Sequence, residues 1–117
     1  MQELTNEHME EVLKSEKLML MEFHAPWCGW CKRLTPLLKE MEPSYEGKIV
    51  FTMLNTENYP EIAGKYGIMS LPNMVFFCGG RTVAELVGYM PQEKLKQEFD
   101  KVLSKYKDCY NQSSKIK

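Results

Sequence analysis

The chain has 117 residues, of which 15 are basic and 16 acidic, for a formal net charge of −1. This length suits one domain, and 44% hydrophobic with 26% charged residues is typical of a soluble globular fold rather than a disordered chain. The balanced charge argues against a nucleic-acid partner. No apolar run approaches 18 residues, so we expect no membrane partner.

Taken in chain order, the hydrophobic pattern predicts alternating helices and strands. The predicted elements are a helix at 6–15, a strand at 18–24, a helix after 28, a strand at 49–54, a short helix near Pro60, strands at 74–78 and 82–87, and a helix after Pro91. The first strand-helix-strand unit predicts a parallel pair, and Gly79-Gly80 predicts a hairpin. This order indicates an α/β fold, a mixed four- or five-stranded sheet with helices on both faces, in which residues 1–4 can add an edge strand.

The pattern predicts a single domain over residues 1–107. Residues 108–117 lack apolar periodicity and are expected to form a frayed polar tail. The N-terminus has no basic-then-apolar signal segment, which fits a cytoplasmic protein. A mature exported protein whose signal peptide has been removed is the alternative.

The four cysteines divide into one close pair and two single residues. Cys28 and Cys31 form a C-x-x-C motif, whereas Cys78 and Cys109 have no cysteine or histidine at close spacing. Cys78 ends a predicted buried strand and is interpreted as a small core residue. Cys109 is expected to be exposed near the C-terminus. Lone cysteines fit a reducing compartment, which again favours the cytoplasm.

The C-x-x-C motif lies where a predicted strand meets a predicted helix. Cys28 is therefore expected at the helix N-terminus, where unpaired N–H groups and partial positive charge lower a thiol pKa. A redox-active dithiol is the favoured interpretation, and a zinc site or a permanent structural disulfide is the alternative. Structural zinc needs four ligands, and the sequence offers no second close pair, so we expect no metal.

The segment EFHAPWCGWCKRLTP at 22–36 resembles the active-site segment of thioredoxin-fold proteins. It is most similar to the catalytic domains of protein disulfide isomerases, which carry APWCGHCK. The similarity continues through KYGIMSLPNMVFF at 65–77, the Gly-Gly turn and VGYMPQEKLKQEF at 87–99. It implies a thioredoxin fold and a thiol-disulfide oxidoreductase with no cofactor beyond its own redox-active disulfide, Cys28–Cys31.

The resemblance implies a role for each matching residue. Cys28 matches the attacking thiol, Cys31 the resolving thiol, and Pro72 a cis-proline facing the dithiol. The residue before that proline, Leu71, is expected to pair its backbone with the substrate. The other expected substrate contacts are Trp27, Gly29, Trp30 and Gly88.

Glu22 lies inside an apolar strand, where burying a carboxylate costs free energy, and this indicates a functional role. The resemblance matches it to a buried acid beneath the second cysteine. Burial should raise its pKa, so that it can take a proton from Cys31 through water as a general base. The alternative is a glutamate at a strand end whose carboxylate reaches solvent.

Three residues depart from the family pattern. Trp30 stands between the cysteines where the family has Pro or His, and it supplies no charge, which leaves the redox direction open. Met53 replaces a lysine that usually pairs with the buried acid, so the pKa of Glu22 should be higher. Tyr89 stands where isomerase domains tend to carry a mobile arginine. The last two changes weaken the case for a dedicated isomerase.

We therefore predict a monomeric protein-disulfide oxidoreductase that works as a thioredoxin-like reductant. Its expected partners are protein disulfide substrates and a reductase or another thiol-disulfide donor. A disulfide oxidant or isomerase is one alternative, and a non-catalytic thioredoxin-fold interaction module is another.

Overall fold

The structure is a computed structural model that describes residues 1–15, 17–106 and 109. Its elements, in chain order, are β1 (Gln2–Glu3), α1 (Asn6–Lys14), β2 (Leu18–His24), α2 (Gly29–Met41), a 3-10 helix (Glu42–Tyr45), β3 (Val50–Asn55), α3 (Pro60–Lys65), β4 (Asn73–Cys78), β5 (Arg81–Val87) and α4 (Gln92–Lys105). None of the helices in these ranges is long and apolar enough to cross a membrane.

The strands form one mixed sheet in the order β1-β3-β2-β4-β5. β3 runs parallel to β1 and β2, whereas β4 is antiparallel to both β2 and β5. The predicted α/β class, the parallel pair, the hairpin and the additional edge strand are all confirmed. Predicted strand boundaries agree with the observed ones to within one residue. The 3-10 helix after α2 was not predicted.

The central strand, β2, is covered on both faces because its side chains alternate between two core clusters. Leu18 and Leu20 pack in one cluster with residues of α2 and α4. Met19 and Met21 pack in the other with residues of α1 and α3. Successive strand residues point to opposite faces, so Glu22 shares the α2 face with Leu18 and Leu20.

The two cysteines outside the C-x-x-C motif do not stand alone. Cys78 at the end of β4 and Cys109 beyond α4 form a disulfide with their Cα atoms 5.8 Å apart. Cys109 is only 3% exposed, so its predicted exposure is wrong. The pairing also removes the basis for inferring a reducing compartment from lone cysteines. The two residues meet because α4 returns the chain to the sheet, a tertiary contact that leaves no local sequence signal.

The predicted polar tail at 108–117 lies outside the described residues except at Cys109. That residue is buried, and its N–H donates a hydrogen bond to the carbonyl oxygen of Tyr106 at 2.9 Å. Cys109 itself is therefore part of the packed fold.

Candidate active site

The C-x-x-C motif lies at the junction of β2 and α2, as predicted. The connecting turn is closed by a hydrogen bond from the N–H of Cys28 to the carbonyl of Ala25 at 3.1 Å. Cys28 is the N-cap residue of α2, and its Sγ accepts a hydrogen bond from the N–H of Cys31 at 3.1 Å. The helix therefore directs an otherwise unpaired N–H group at the sulfur, which favours the Cys28 thiolate once the pair is reduced.

Cys28 and Cys31 are bonded to each other as a disulfide, with their Cα atoms 5.3 Å apart. Both residues are buried, and Leu71 packs against the small cluster that they form with Ala25. A partner can therefore reach these sulfurs only by docking against the surface that surrounds them.

The peptide bond between Leu71 and Pro72 is cis, as expected. Pro72 is buried just before β4, and its carbonyl oxygen accepts a hydrogen bond from the N–H of Gly88 at 2.8 Å. Gly88 has a φ of 91°, a left-handed conformation that favours glycine. A Cβ atom at that position would meet no atom within 4 Å, so the surface beside Gly88 is open.

Large apolar side chains are exposed around this end of the sheet. Trp27 is 68% exposed and Trp30 is 55% exposed, and together they flank Cys28. We define the apolar rim as the exposed large hydrophobic side chains of the described residues: Trp27, Trp30, Met69, Val87 and Tyr89. Met69 precedes Pro72 by three positions in the chain, and Val87 and Tyr89 are the two neighbours of Gly88. Trp30 contacts Tyr89, and Trp27 and Met69 line one cleft with Leu71, so exposed apolar side chains cluster here as they do at binding surfaces.

The three aromatic rings of the rim are held by contacts with neighbouring side chains. The ring centroids of Trp30 and Tyr89 lie 5.2 Å apart, and the guanidinium of Arg33 lies 5.3 Å from the Trp30 centroid. The indole N–H of Trp27 donates a hydrogen bond to a carboxylate oxygen of Glu57 at 3.1 Å. Ordering these rings in advance lowers the entropy cost of binding a partner.

Glu22 is fully buried, so the alternative of a carboxylate that reaches solvent is wrong. The hydroxyl of Thr35 lies 2.9 and 2.8 Å from its two carboxylate oxygens and, having one proton, donates to one of them at a time. Burial raises the pKa of Glu22 to about 7, and the Thr35 hydrogen bond limits the rise. Smaller electrostatic effects come from Glu3, which raises the pKa, and Lys39, which lowers it.

No cation from the neighbouring strand opposes this rise in pKa. The residue beside Glu22 in the parallel register of β2 and β3 is Met53, as the departure from the family pattern predicted. Met53 is half-buried and carries no charge. The high pKa of Glu22 therefore follows from its burial without a paired lysine.

An open cleft of about 320 Å³ runs beside Cys31 and includes Thr35 in its wall. A cleft of this size has room for several water molecules. Because Cys31 and Thr35 line the same cleft, water in it can lie near both residues.

The family model described as Thioredoxin matches residues 1–101. The chain belongs to the thioredoxin family. It is 36% identical over 100 residues to a thioredoxin of Alicyclobacillus acidocaldarius, covering 86% of this chain and 95% of that one. It is 42% identical over 94 residues to thioredoxin 1 of a Nostoc species, covering 80% and 88%. An M-type chloroplastic thioredoxin of Spinacia oleracea is 40% identical over 95 residues, covering 81% and 52%.

Membership of the thioredoxin family, together with the Cys28–Cys31 pair, identifies a protein-disulfide oxidoreductase. The chain has the thioredoxin fold and is a thioredoxin-like dithiol reductant. Thioredoxins act through their own redox-active disulfide, and the family implies protein disulfide substrates and a reductase as electron donor. Within the described ranges, no three His, Cys, Asp or Glu side chains converge in a way that could hold a metal ion.

The predicted site residues of this thioredoxin-family protein lie together at one end of the sheet. Thr35 was not among them, although it follows Cys31 by four residues and so lies on the same face of α2. Glu57 was also missed, because its contact with Trp27 joins segments that are 30 residues apart.

Proposed function

We propose that Cys28 and Cys31 reduce protein disulfides in two exchange steps. The Cys28 thiolate attacks one sulfur of the substrate disulfide, forms a mixed disulfide and releases the first substrate thiolate. The Cys31 thiolate then attacks Sγ of Cys28, restores the Cys28–Cys31 disulfide and releases the second substrate thiolate. Two electrons pass to the substrate, and its two thiolates take up protons. The hydrogen bond from the Cys31 N–H to Sγ of Cys28 supports Cys28 as the attacking residue.

Glu22 is proposed to accept the proton of the Cys31 thiol before the second step. Its pKa of about 7 suits a general base at neutral pH, because the group can both take and release a proton there. The carboxylate is buried, so we propose that water in the cleft beside Cys31 carries the proton toward it. The Thr35 hydroxyl holds the carboxylate in position.

The substrate is proposed to bind as an extended segment across the dithiol. The backbone of Leu71 pairs with it in the manner of an added strand, and Pro72 faces the disulfide. Gly88 and Gly29 leave space for the substrate backbone, since a Cβ at either position would meet no atom within 4 Å. Trp27, Trp30 and the rest of the apolar rim contact apolar substrate side chains.

The oxidised chain needs electrons before it can act again. We propose that a reductase or another dithiol donor supplies them, that no further cofactor takes part, and that the protein works as a monomer. We propose the cytoplasm, because a reducing compartment would keep the dithiol in its active state, and the Cys78–Cys109 disulfide makes an exported protein the alternative. Cell fractionation distinguishes this location from that of an exported mature protein.

Reduction of insulin disulfides, with dithiothreitol as donor, tests the proposed chemistry. Cys28→Ser should lower the rate to that of dithiothreitol alone, because the attacking sulfur is lost. Cys31→Ser, reduced and then mixed with insulin after removal of dithiothreitol, should retain a mixed disulfide on Cys28. The matched control, Cys78→Ala with Cys109→Ala, should retain turnover, since it leaves the C-x-x-C motif intact. Turnover by Cys28→Ser at the level of the unmodified protein would overturn the proposal.

A further inference from the structure

Cys78 and Cys109 form a second disulfide that the catalytic steps do not use. We propose that Cys78–Cys109 is a permanent cross-link that stays oxidised while Cys28 and Cys31 cycle. The working reduced protein then carries two thiols rather than four.

The sheet separates the two disulfides. In the pairing of β2 with β4, Asn73 lies opposite Phe23 near the active site, whereas Cys78 lies opposite Leu18 at the other end. The five residue steps from Asn73 to Cys78 span about 17 Å at the usual rise of an antiparallel strand. Thiol-disulfide exchange requires direct contact between sulfurs. The reduced dithiol therefore cannot transfer electrons to Cys78–Cys109 within one molecule.

The surroundings of the two disulfides differ in how well they stabilise a reduced sulfur. The Cys31 N–H donates to Sγ of Cys28 at the N-terminus of α2, which favours the Cys28 thiolate and so makes Cys28–Cys31 easier to reduce. Cys109 lies in the core cluster that includes Phe99, and half-buried Cys78 packs against it, an apolar setting that disfavours thiolates. Exposure does not separate the two pairs, since Cys28 is 5% and Cys109 3% exposed. We therefore expect reductants to open Cys28–Cys31 before Cys78–Cys109.

The cross-link fastens the C-terminal end of the fold to the sheet. The 31-residue separation between the two cysteines spans β5 and α4. α4 contributes buried Leu95 and Phe99 to the core. Closing such a loop restricts the unfolded chain and thereby favours the folded one. The expected consequence is a melting temperature higher by on the order of 10 °C for a domain of this size.

Formation of the cross-link needs an oxidant, for which a low-molecular-weight disulfide such as oxidised glutathione suffices. The thiolate of Cys78, the more accessible residue, attacks that disulfide and releases one glutathione thiolate. The Cys109 thiolate then attacks Sγ of Cys78 and releases the second. Two protein thiols become one disulfide, and the two electrons and two protons end on two molecules of glutathione.

Alkylation of the unmodified protein tests whether the cross-link persists. The protein, oxidised with glutathione disulfide, is treated without denaturant with dithiothreitol sufficient to support insulin reduction, then alkylated and mapped by mass spectrometry without further reduction. We expect alkyl groups on Cys28 and Cys31 and a cross-linked Cys78–Cys109 peptide pair. Four alkyl groups should appear only after denaturation in excess reductant. Alkylation of Cys78 and Cys109 together with the active-site pair would overturn the proposal.

Thermal melting tests the structural role with the same material. Cys78→Ala with Cys109→Ala should lower the melting temperature of the oxidised protein by on the order of 10 °C. The gap should narrow when both proteins melt in reductant strong enough to open every disulfide, because only the lost side-chain packing then separates them. Equal melting temperatures under oxidising conditions, or a gap that reductant leaves unchanged, would contradict a cross-link that stabilises the fold.

Discussion

At the scale of single residues, Glu22 is an ionisable group that burial disfavours in its charged form. Its carboxyl group is fully buried and accepts a hydrogen bond from the hydroxyl of Thr35. The resulting pKa of about 7 means that the folded protein holds this proton more tightly than the unfolded chain, whose value is 4.5. The group proposed as the general base therefore also makes stability depend on pH.

Replacement of Glu22 by glutamine should stabilise the protein in alkaline solution. The contribution of the protonated glutamate is fully present below pH 4.5 and is lost as the pH rises through 7, whereas glutamine remains neutral. The shift from 4.5 to about 7 corresponds to roughly 3 to 4 kcal/mol at about 1.4 kcal/mol per unit. Urea unfolding of the oxidised proteins should show Glu22→Gln more stable at pH 8.5 by up to that amount. A difference of equal size at pH 4 would contradict the burial argument.

At the scale of the elements, the parallel register of β2 and β3 decides what surrounds the buried acid. Glu22 and Met53 are register partners, so position 53 is where a strand neighbour could supply a compensating charge. The charges that act on the carboxyl group lie on β1 and α2, where Glu3 raises its pKa and Lys39 lowers it, whereas Met53 on β3 contributes none.

Introduction of a cation at this position should therefore reverse part of the pKa shift. Met53→Lys places an ammonium beside Glu22, and an opposite charge at short range favours the ionised carboxyl. We expect the pKa of Glu22 to fall by about one unit or more, as measured by NMR titration of the carboxyl carbon. Met53→Gln is the matched control, because it adds polarity without charge and should leave the pKa near its original value. A pKa that does not respond to Met53→Lys would mean that the two side chains do not share the strand face.

The bounds of the elements can be predicted from the sequence, whereas contacts between elements cannot. β2 is recovered with its observed bounds because a dense apolar run ends at Ala25-Pro26, and Cys28 is placed at the helix start because the motif follows that strand. Local periodicity and turn residues suffice for such features. The contacts from Thr35 to Glu22 and from Trp27 to Glu57 depend on how separate elements pack, so their partners could not be identified from local pattern alone.

At the scale of the whole molecule, the two ends of the sheet differ in chemistry. One end carries the dithiol and the apolar rim, and the other carries the Cys78–Cys109 cross-link. The C-x-x-C motif is compact, so the dithiol could be predicted from the sequence. The Cys78–Cys109 disulfide could not, because the two cysteines are 31 residues apart and meet only when α4 packs on the sheet. The argument from lone cysteines to a reducing compartment fails for the same reason.

The apolar rim predicts a preference for protein substrates over small disulfides. Tyr89→Ala removes the ring that packs against Trp30, and should raise KM for insulin several-fold while leaving the rate with a small disulfide such as glutathione disulfide nearly unchanged. Tyr89→Phe keeps the ring and serves as the control. Equal losses with both substrates would indicate damage to the dithiol instead of a substrate contact.

The central claim is that Cys28–Cys31 acts as a reductant, and its equilibrium with a glutathione redox buffer tests that claim most directly. Helix α2 favours the Cys28 thiolate through one N–H group, but Trp30 adds no charge that would stabilise it further. We therefore predict a potential near −270 mV, in the range of thioredoxins. A potential of about −120 to −180 mV, which is that of oxidants and isomerases, would contradict the claim.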